Sequence, residues 1–323
     1  MKKRKIGDTD LYLTTVGLGT WAIGGPWQFG WGKQDDRDSI KAILEAMEEG
    51  INWIDTAPIY GCGHAEQVVG KALKDISEKP LIATKCGLLW NEKREKVSCL
   101  KDESVKRECE DSLRRLGVER IDLMQVHWPE PEVDLEDGWG AIADLVKEGK
   151  VRYAGVSNFS IEQIKLCRAI HPVASVQPCY NMLVRQIEKE LIGYCRQNDI
   201  GIVAYSPMAR GLLTGKFSKD RLDNLAKDDN RRLSTIFREP SFSATLALVE
   251  ELRPIAEKYA ATIAQLAIAW VLRRAEITSA IAGARRAGQI AETAKAGELQ
   301  LESEDIALIE ELLEKRQDAL DTC

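Results

Sequence analysis

Short apolar runs alternate with amphipathic stretches along almost the whole chain. Residues 15–20, TVGLGT, precede a helix-spaced segment, DDRDSIKAILEAMEEG, and INWIDT precedes AEQVVGKALKDI. PLIATKCG leads through a loop to DESVKRECEDSLRRLG, RIDLMQVHWP to GWGAIADLVKEGK, and VRYAGVSNFS to IEQIKLCRAI. VASVQPCYN precedes QIEKELIGYCRQND. IGIVAYSPM precedes a long polar loop and the helical FSATLALVEELRPIAEKYA and TIAQLAIAWVLRR; ITSAIAGAR precedes AGQIAETAKAG and SEDIALIEELLEKRQ. The strand-like runs are continuously apolar, as in parallel strands covered on both faces. Candidate helices close at Gly50, Gly117 and Gly149, where a left-handed residue ends the turn. Eight strands, each followed by a helix, predict a parallel sheet closed into a (β/α)8, or TIM, barrel over residues 1–323 as one α/β domain. A doubly wound open sheet is the alternative. Its dinucleotide fingerprint fails here, because the third glycine would fall at Ala22 in GLGTWAIGG. The stretch RKIGDTDLYLT alternates around an Asp-containing turn and predicts a hairpin closing the barrel bottom; the extra helices fall at the C-terminal end.

Composition narrows the partners. The 45 basic and 51 acidic residues give a net charge of −6, which leaves no basic excess for nucleic acid. No apolar run is long enough for a membrane span, and no apolar region follows MKKRK to make a signal peptide. The eight cysteines are irregularly spaced and form no CxxC pair, which predicts free thiols in a reducing cytoplasm. The three histidines, His64, His127 and His171, stand at no metal-ligand spacing, so no metal is expected.

In a barrel the active site gathers where the strands end. Polar residues recur there: Asp55 after strand two, Lys85 after three, His127 after four, Ser157 and Asn158 after five, Gln177 after six, Tyr205 and Ser206 after seven, Arg285 after eight. One carboxylate could cap a helix and one lysine could snorkel, but capping does not explain a whole rim. Tyr60 has an ordinary pKa of about 10. A neighbouring Lys85, oriented by Asp55, is expected to lower it by stabilising the phenolate. His127 could donate a hydrogen bond to a carbonyl. Neither a GxSxG motif nor a Cys–His pairing is present, so hydrolysis lacks support. Acid–base assistance at a carbonyl fits, and the missing hydride must come from a nicotinamide.

Taken together, GLGTW, DTAPIYGCGHAEQVVGKAL, IATKCG, ERIDLMQVHWP, GKVRYAGVSNF, AYSPMARGLLTGK and IAGARRAGQIAET resemble the aldo-keto reductase superfamily across the whole chain. The nearest likeness is to bacterial members related to the potassium-channel β subunits. The resemblance implies an NADPH-linked reductase of aldehydes or ketones with a tetrad of Asp55, Tyr60, Lys85 and His127, Tyr60 being the proton donor. It places Gly19, Thr20, Trp21 and Asp55 against the cofactor. Ser157, Asn158 and Gln177 fall on its carboxamide and Tyr205 on the nicotinamide ring. Ser206, Pro207, Gly211, Leu213 and Lys216 fall along the pyrophosphate, and Gly283, Arg285, Gln289, Glu292 and Thr293 around the adenosine. Arg285 is assigned to the 2′-phosphate, with Arg286 beside it as the other choice. The chain departs from the family pattern at Ala65, Ala282 and Thr293. Two further readings stand beside reduction: oxidation of a sugar or cyclitol, and a non-enzymatic NADP(H)-sensing subunit.

Trp27, Trp31, Trp90 and Trp128 fall in loops at the same rim and are expected to wall the substrate, a small carbonyl compound or sugar. Trp53 and Trp270 lie inside elements and are expected in the core; His171 reads as structural. Cys62 and His64 flank the Tyr60 turn, as pocket residues or turn fillers. In the charge-rich loop after strand seven, Arg231 or Arg232 could reach the phosphates if the loop closes. Oligomeric state leaves no signature in the pattern.

Overall fold

The computed structural model describes residues 1–226 and 229–321; Cys323 lies outside them. Eight parallel strands close into a barrel: Val16–Gly19, Trp53–Asp55, Leu81–Cys86, Ile121–Val126, Val151–Ser157, Ser175–Gln177, Gly201–Ala204 and Ile277–Gly283. The last pairs with the first, Gly283 opposite Gly19, so the open-sheet alternative is excluded. The helices fall where the apolar spacing puts them, for example Asp36–Glu48, Asp102–Leu116 and Ile161–Ile170. Sequence chemistry sets their ends. Ser160 and Gln163 form a reciprocal capping box, and Gly117 ends its helix at φ 67°, a conformation that side chains disfavour. No single described helix is long and apolar enough to cross a membrane.

Two apolar clusters result. The larger lies between barrel and helices and holds Trp270. The smaller fills the barrel interior and holds Trp53, Ala83, Leu123, Val203 and Ile281, with Ile6, Leu11 and Leu13 from below. They belong to the hairpin of Lys3–Lys5 and Tyr12–Thr14 that plugs the barrel bottom, Leu13 within the second strand and Ile6 and Leu11 in the connecting turn.

Strand side chains point inward at every second residue, so the inward sets can be followed upward. Trp53 leads to Asp55, Ala83 to Lys85, Leu123 to Gln125, Val203 to Tyr205 and Ile281 to Gly283. Four of these inward sets change from apolar to polar at or near the carboxyl end of the strand, at Asp55, Lys85, Gln125 and Tyr205, and the fifth ends at Gly283. That change turns a packed barrel into a polar floor for a cavity.

The stretch after Lys85, expected as a loop, is an antiparallel hairpin, Leu88–Trp90 with Lys96–Ser98. Two buried carboxylates lie behind this strand. Thr84 donates to Glu66 at 2.6 Å, and Arg115 donates to the other oxygen at 2.7 Å. Glu108 accepts from the Gly87 N–H with both oxygens, and burial pushes its carboxyl up to about 8. A raised folded-state pKa contributes stability below the unfolded value near 4.5, and that contribution is lost as pH rises through about 8. Glu108→Gln keeps an acceptor for Gly87 and removes the ionisation. It is expected to raise unfolding free energy by about 1–3 kcal/mol at alkaline pH and to change little in acid, as read by urea denaturation at both ends.

Candidate active site

Lys85 is fully buried at the end of its strand, and its ammonium has three donors. They go to Asp55 Oδ1 at 2.7 Å, the Thr56 carbonyl at 3.0 Å and Tyr60 Oη at 3.2 Å. Asp55 is braced through its second oxygen, which accepts from Gln177 Nε2 at 2.7 Å. Because Tyr60 Oη accepts from Lys85, its own O–H remains available to the cavity. His127 completes the group, its ring edge-on to Tyr60 with centroids 5.7 Å apart.

The electrostatics differ from expectation at Tyr60. Burial, reinforced by the Asp55 carboxylate, raises its pKa well above the ordinary phenol value. The ammonium that should stabilise a phenolate already faces Asp55 at 2.7 Å, so the pair presents little net charge to Tyr60. Burial also lowers Lys85, against the pull of Asp55. His127 is driven well below its usual range by burial and by the charges of Lys85 and Lys96. Near neutrality the site therefore holds a protonated phenol and a neutral imidazole.

Above this floor opens a cavity of about 760 Å³. Asp55, Tyr60, His127, Ser157, Asn158, Gln177 and Tyr205 line its base. Asn158 spends both amide protons, on the His127 carbonyl and on Ser157 Oγ, and accepts from Tyr205 Oη at 2.8 Å. Ser157 in turn donates to the Gln177 carbonyl. These side chains form one network that fixes Tyr205 and the end of the His127 strand.

Farther out the lining becomes basic. Arg210 lies 5.5 Å from the Trp21 ring, Trp21 lies 5.3 Å from Trp31, and Arg231 sits 4.4 Å over Trp31, a ladder of cations and aromatic faces. The backbone there is strained: Ser206, Ala209 and Arg210 all have positive φ, and Gly211 has φ 101°. The loop after strand seven lies folded on the loop after strand one, with the Asn230 N–H donating to the Gly30 carbonyl. Arg231 is buried and paired with Asp229 at 2.6 Å, whereas Arg232 donates outside the cavity to the Leu225 carbonyl.

Gly19, Trp21, Ser206, Pro207, Gly211, Lys216, Gly283, Arg285, Gln289, Glu292 and Thr293 all line the cavity, as do Trp27, Trp31 and Trp128. Several expectations need correction. Trp90 is off the cavity wall and packs toward Gly63. Leu213 is buried in the main core, and Thr20 donates its hydroxyl to the Asp55 carbonyl, so neither reaches the lining. Thr293 gives its hydroxyl to carbonyls of its own helix and has no donor left for a base. Lys216 pairs with Glu292 at 2.7 Å. Trp31 belongs to the basic ladder, away from Tyr60. Arg285 donates to Gln34 Oε1, the Trp31 carbonyl and the Lys33 carbonyl, which ties it to the first loop. Arg286 also lines the cavity, and its guanidinium makes no hydrogen bond or ion pair among the described residues. His64 pairs with Asp36 at 2.7 Å, and neither it nor Cys62 lines the cavity. Lys96, Glu130, Gln34 and Asp38 line it without having been singled out in the sequence. Nothing in the apolar and polar pattern of the sequence marks any of the four.

Orphaned polar atoms show what this end can take. Glu292 Oε1 and the Trp31 indole N–H are buried without partners. An unpaired acceptor, a spare donor and an unpaired guanidinium fit the amino group and phosphates of a dinucleotide.

A hydride-transfer barrel enzyme with a Tyr–Lys–Asp–His floor is the class these features define. The chain belongs to the Aldo/keto reductase family, whose sequence model matches residues 15–314. It is 38% identical to "Aldo-keto reductase YhdN" of Bacillus subtilis, over 97% of this chain and 94% of that one. It is 34% identical to the "NADH-specific methylglyoxal reductase" of Escherichia coli, over 97% and 99%. Among solved structures it superposes on the glycerol dehydrogenase AKR11B4 from Gluconobacter oxydans with a TM-score of 0.89. That match has 38% identity over 97% of this chain and 95% of that one. The protein is thus an oxidoreductase of a family that uses nicotinamide cofactors.

Proposed function

We propose that this enzyme reduces an aldehyde or ketone to an alcohol with NADPH, Tyr60 giving the proton to the carbonyl oxygen. The observation that carries this reading is the Lys85 ammonium donating to Tyr60 Oη at 3.2 Å, which aims the phenol proton at the cavity beside His127. A reduced nicotinamide, when bound, supplies the hydride. The neutral imidazole of His127 donates a hydrogen bond to the carbonyl oxygen and polarises it. As negative charge grows on that oxygen, Tyr60 releases its proton, and the Lys85 N–H that already donates to Oη holds the phenolate left behind by that hydrogen bond. The raised pKa of Tyr60 keeps the acid loaded at neutral pH. In the reverse direction the same groups would serve oxidation of an alcohol. The test is consumption of NADPH absorbance with a panel of small aldehydes; no turnover of any of them would sink the reading.

The preference for NADPH over NADH rests on Arg286. Arg285 is tied to the first loop, whereas the Arg286 guanidinium is uncommitted and suits a bidentate hold on the 2′-phosphate. Arg286→Ala is expected to weaken NADPH binding by roughly 10–150-fold and to leave NADH unchanged. Arg285→Ala should weaken both, because it frees residues 31–34. Dissociation constants from fluorescence titration check this; equal losses for both cofactors in Arg286→Ala would rule Arg286 out.

A further inference from the structure

The end of the cavity away from the basic ladder has its own chemistry. Trp27 lies 6.3 Å from Tyr60 by ring centroids and 5.4 Å from Phe29. With Leu88 and Trp128 these rings wall the space in front of Tyr60 and His127. Such a wall suits C–H surface, and alone it would select an aliphatic substrate.

Three polar features interrupt it. The Trp27 indole N–H is buried without an acceptor. Lys96, on the hairpin after Lys85, and Glu130, three residues after His127, both line the cavity and pair at 2.8 Å. Lys96 lies close enough for its charge to be felt at the His127 ring. Both hydrogen bonds to Glu130, from Lys96 and from Ser98 Oγ at 3.2 Å, land on Oε2, which leaves Oε1 to accept. A paired ammonium and carboxylate carry no net charge, so they do not favour an ionic substrate. An anion drawn to Lys96 meets Glu130, and a cation meets the reverse. What they offer is a donor beside an acceptor, and a hydroxyl is the group that uses both at once. The Trp27 N–H, buried in the adjoining wall, is a further unpaired donor.

We propose that Trp27, Lys96 and Glu130 form a hydroxyl-reading subsite that selects carbonyl substrates bearing hydroxyls on the carbons next to the carbonyl. The proposal rests on the reductase reading and names its substrate class. The bland reading is that the pair only ties the hairpin to the fourth-strand loop. The Lys96 N–H does donate to Gln28 Oε1 at 2.8 Å, and Arg94 of the hairpin donates to the Gly61 carbonyl at 3.0 Å, so the hairpin has ties of its own.

The test is kcat/KM for glyceraldehyde against propanal, which match in carbon count and differ in hydroxyls. The parent should prefer glyceraldehyde by at least about ten-fold, since hydrogen bonds to charged groups are individually worth that much. Lys96→Met and Glu130→Gln should each cut the ratio by about ten-fold. Ser98→Ala, which removes a tie and leaves the pair, should keep the ratio. Equal losses for both aldehydes in Lys96→Met and Glu130→Gln would show a tie only and overturn the subsite. So would a parent indifferent between the aldehydes, or one that favours glyceraldehyde 3-phosphate through Lys96. Turnover of neither aldehyde would overturn the reductase reading itself, and the subsite with it.

Discussion

Tyr60→Phe is expected to lower kcat for carbonyl reduction by about 10²–10⁴-fold, the usual worth of a positioned general acid. The phenyl ring keeps its packing against Trp27 and His127, so the fold and cofactor affinity should stay near the parent's. What is lost is the hydroxyl that accepts from Lys85 and points its proton into the cavity. The pH dependence adds a second reading. Because burial and Asp55 raise Tyr60, the phenol stays protonated through neutrality, and the parent's reduction rate should show no Tyr60 inflection there. His127, held neutral by burial and by Lys85 and Lys96, should add none near 6.5. Steady-state rates across that range, with a coenzyme titration of the Phe variant, check both. A Phe variant within a few-fold of the parent would remove Tyr60 from the role of acid.

Lys85→Met should cost as much activity as Tyr60→Phe and stability besides. The substitution leaves the Asp55 carboxylate buried with Gln177 as its remaining side-chain donor. Breaking a buried ion pair by removing one partner costs about 3–5 kcal/mol, because the other charge is stranded. Lys85→Met with Asp55→Asn removes both charges and should recover most of the stability while staying inactive. Melting temperature separates the two variants, and turnover joins them. A double variant that regained activity together with stability would mean the pair matters only for folding.

His127 gives the stability curve an acidic limb. Its folded-state pKa is depressed, so its contribution is present above the unfolded value near 6.5 and is lost as pH falls below it. The unfolded chain takes up a proton there that the folded chain refuses. Glu108 works in the opposite sense, its contribution being lost as pH rises through about 8.

Much of this protein was fixed by local pattern. Continuous apolar runs followed by amphipathic segments predict parallel strands and covering helices, and eight repeats predict closure, because neither signal needs contacts distant in the chain. The strand-end positions of Asp55, Lys85, His127, Gln177 and Tyr205 were legible for the same reason. A period of two carries an inward residue to the barrel mouth whatever the neighbouring strands do.

Tertiary structure decided everything that depends on which side chain meets which. Sequence placed Trp31 and Trp90 with Trp27 as substrate walls. In the fold Trp31 lies under Arg231, and Trp90 packs away from the cavity. Arg285 and Arg286 are adjacent and chemically equal on paper. Three acceptors from residues 31–34, some 250 positions earlier, engage one and leave the other free. The direction of the Tyr60 shift was likewise out of reach. It is set first by burial of the phenol and then by the Asp55 carboxylate, which also pairs with Lys85 at 2.7 Å. Hydrophobic periodicity is a property of neighbours in sequence, whereas charge compensation and desolvation belong to neighbours in space, and these exist only once the barrel has closed.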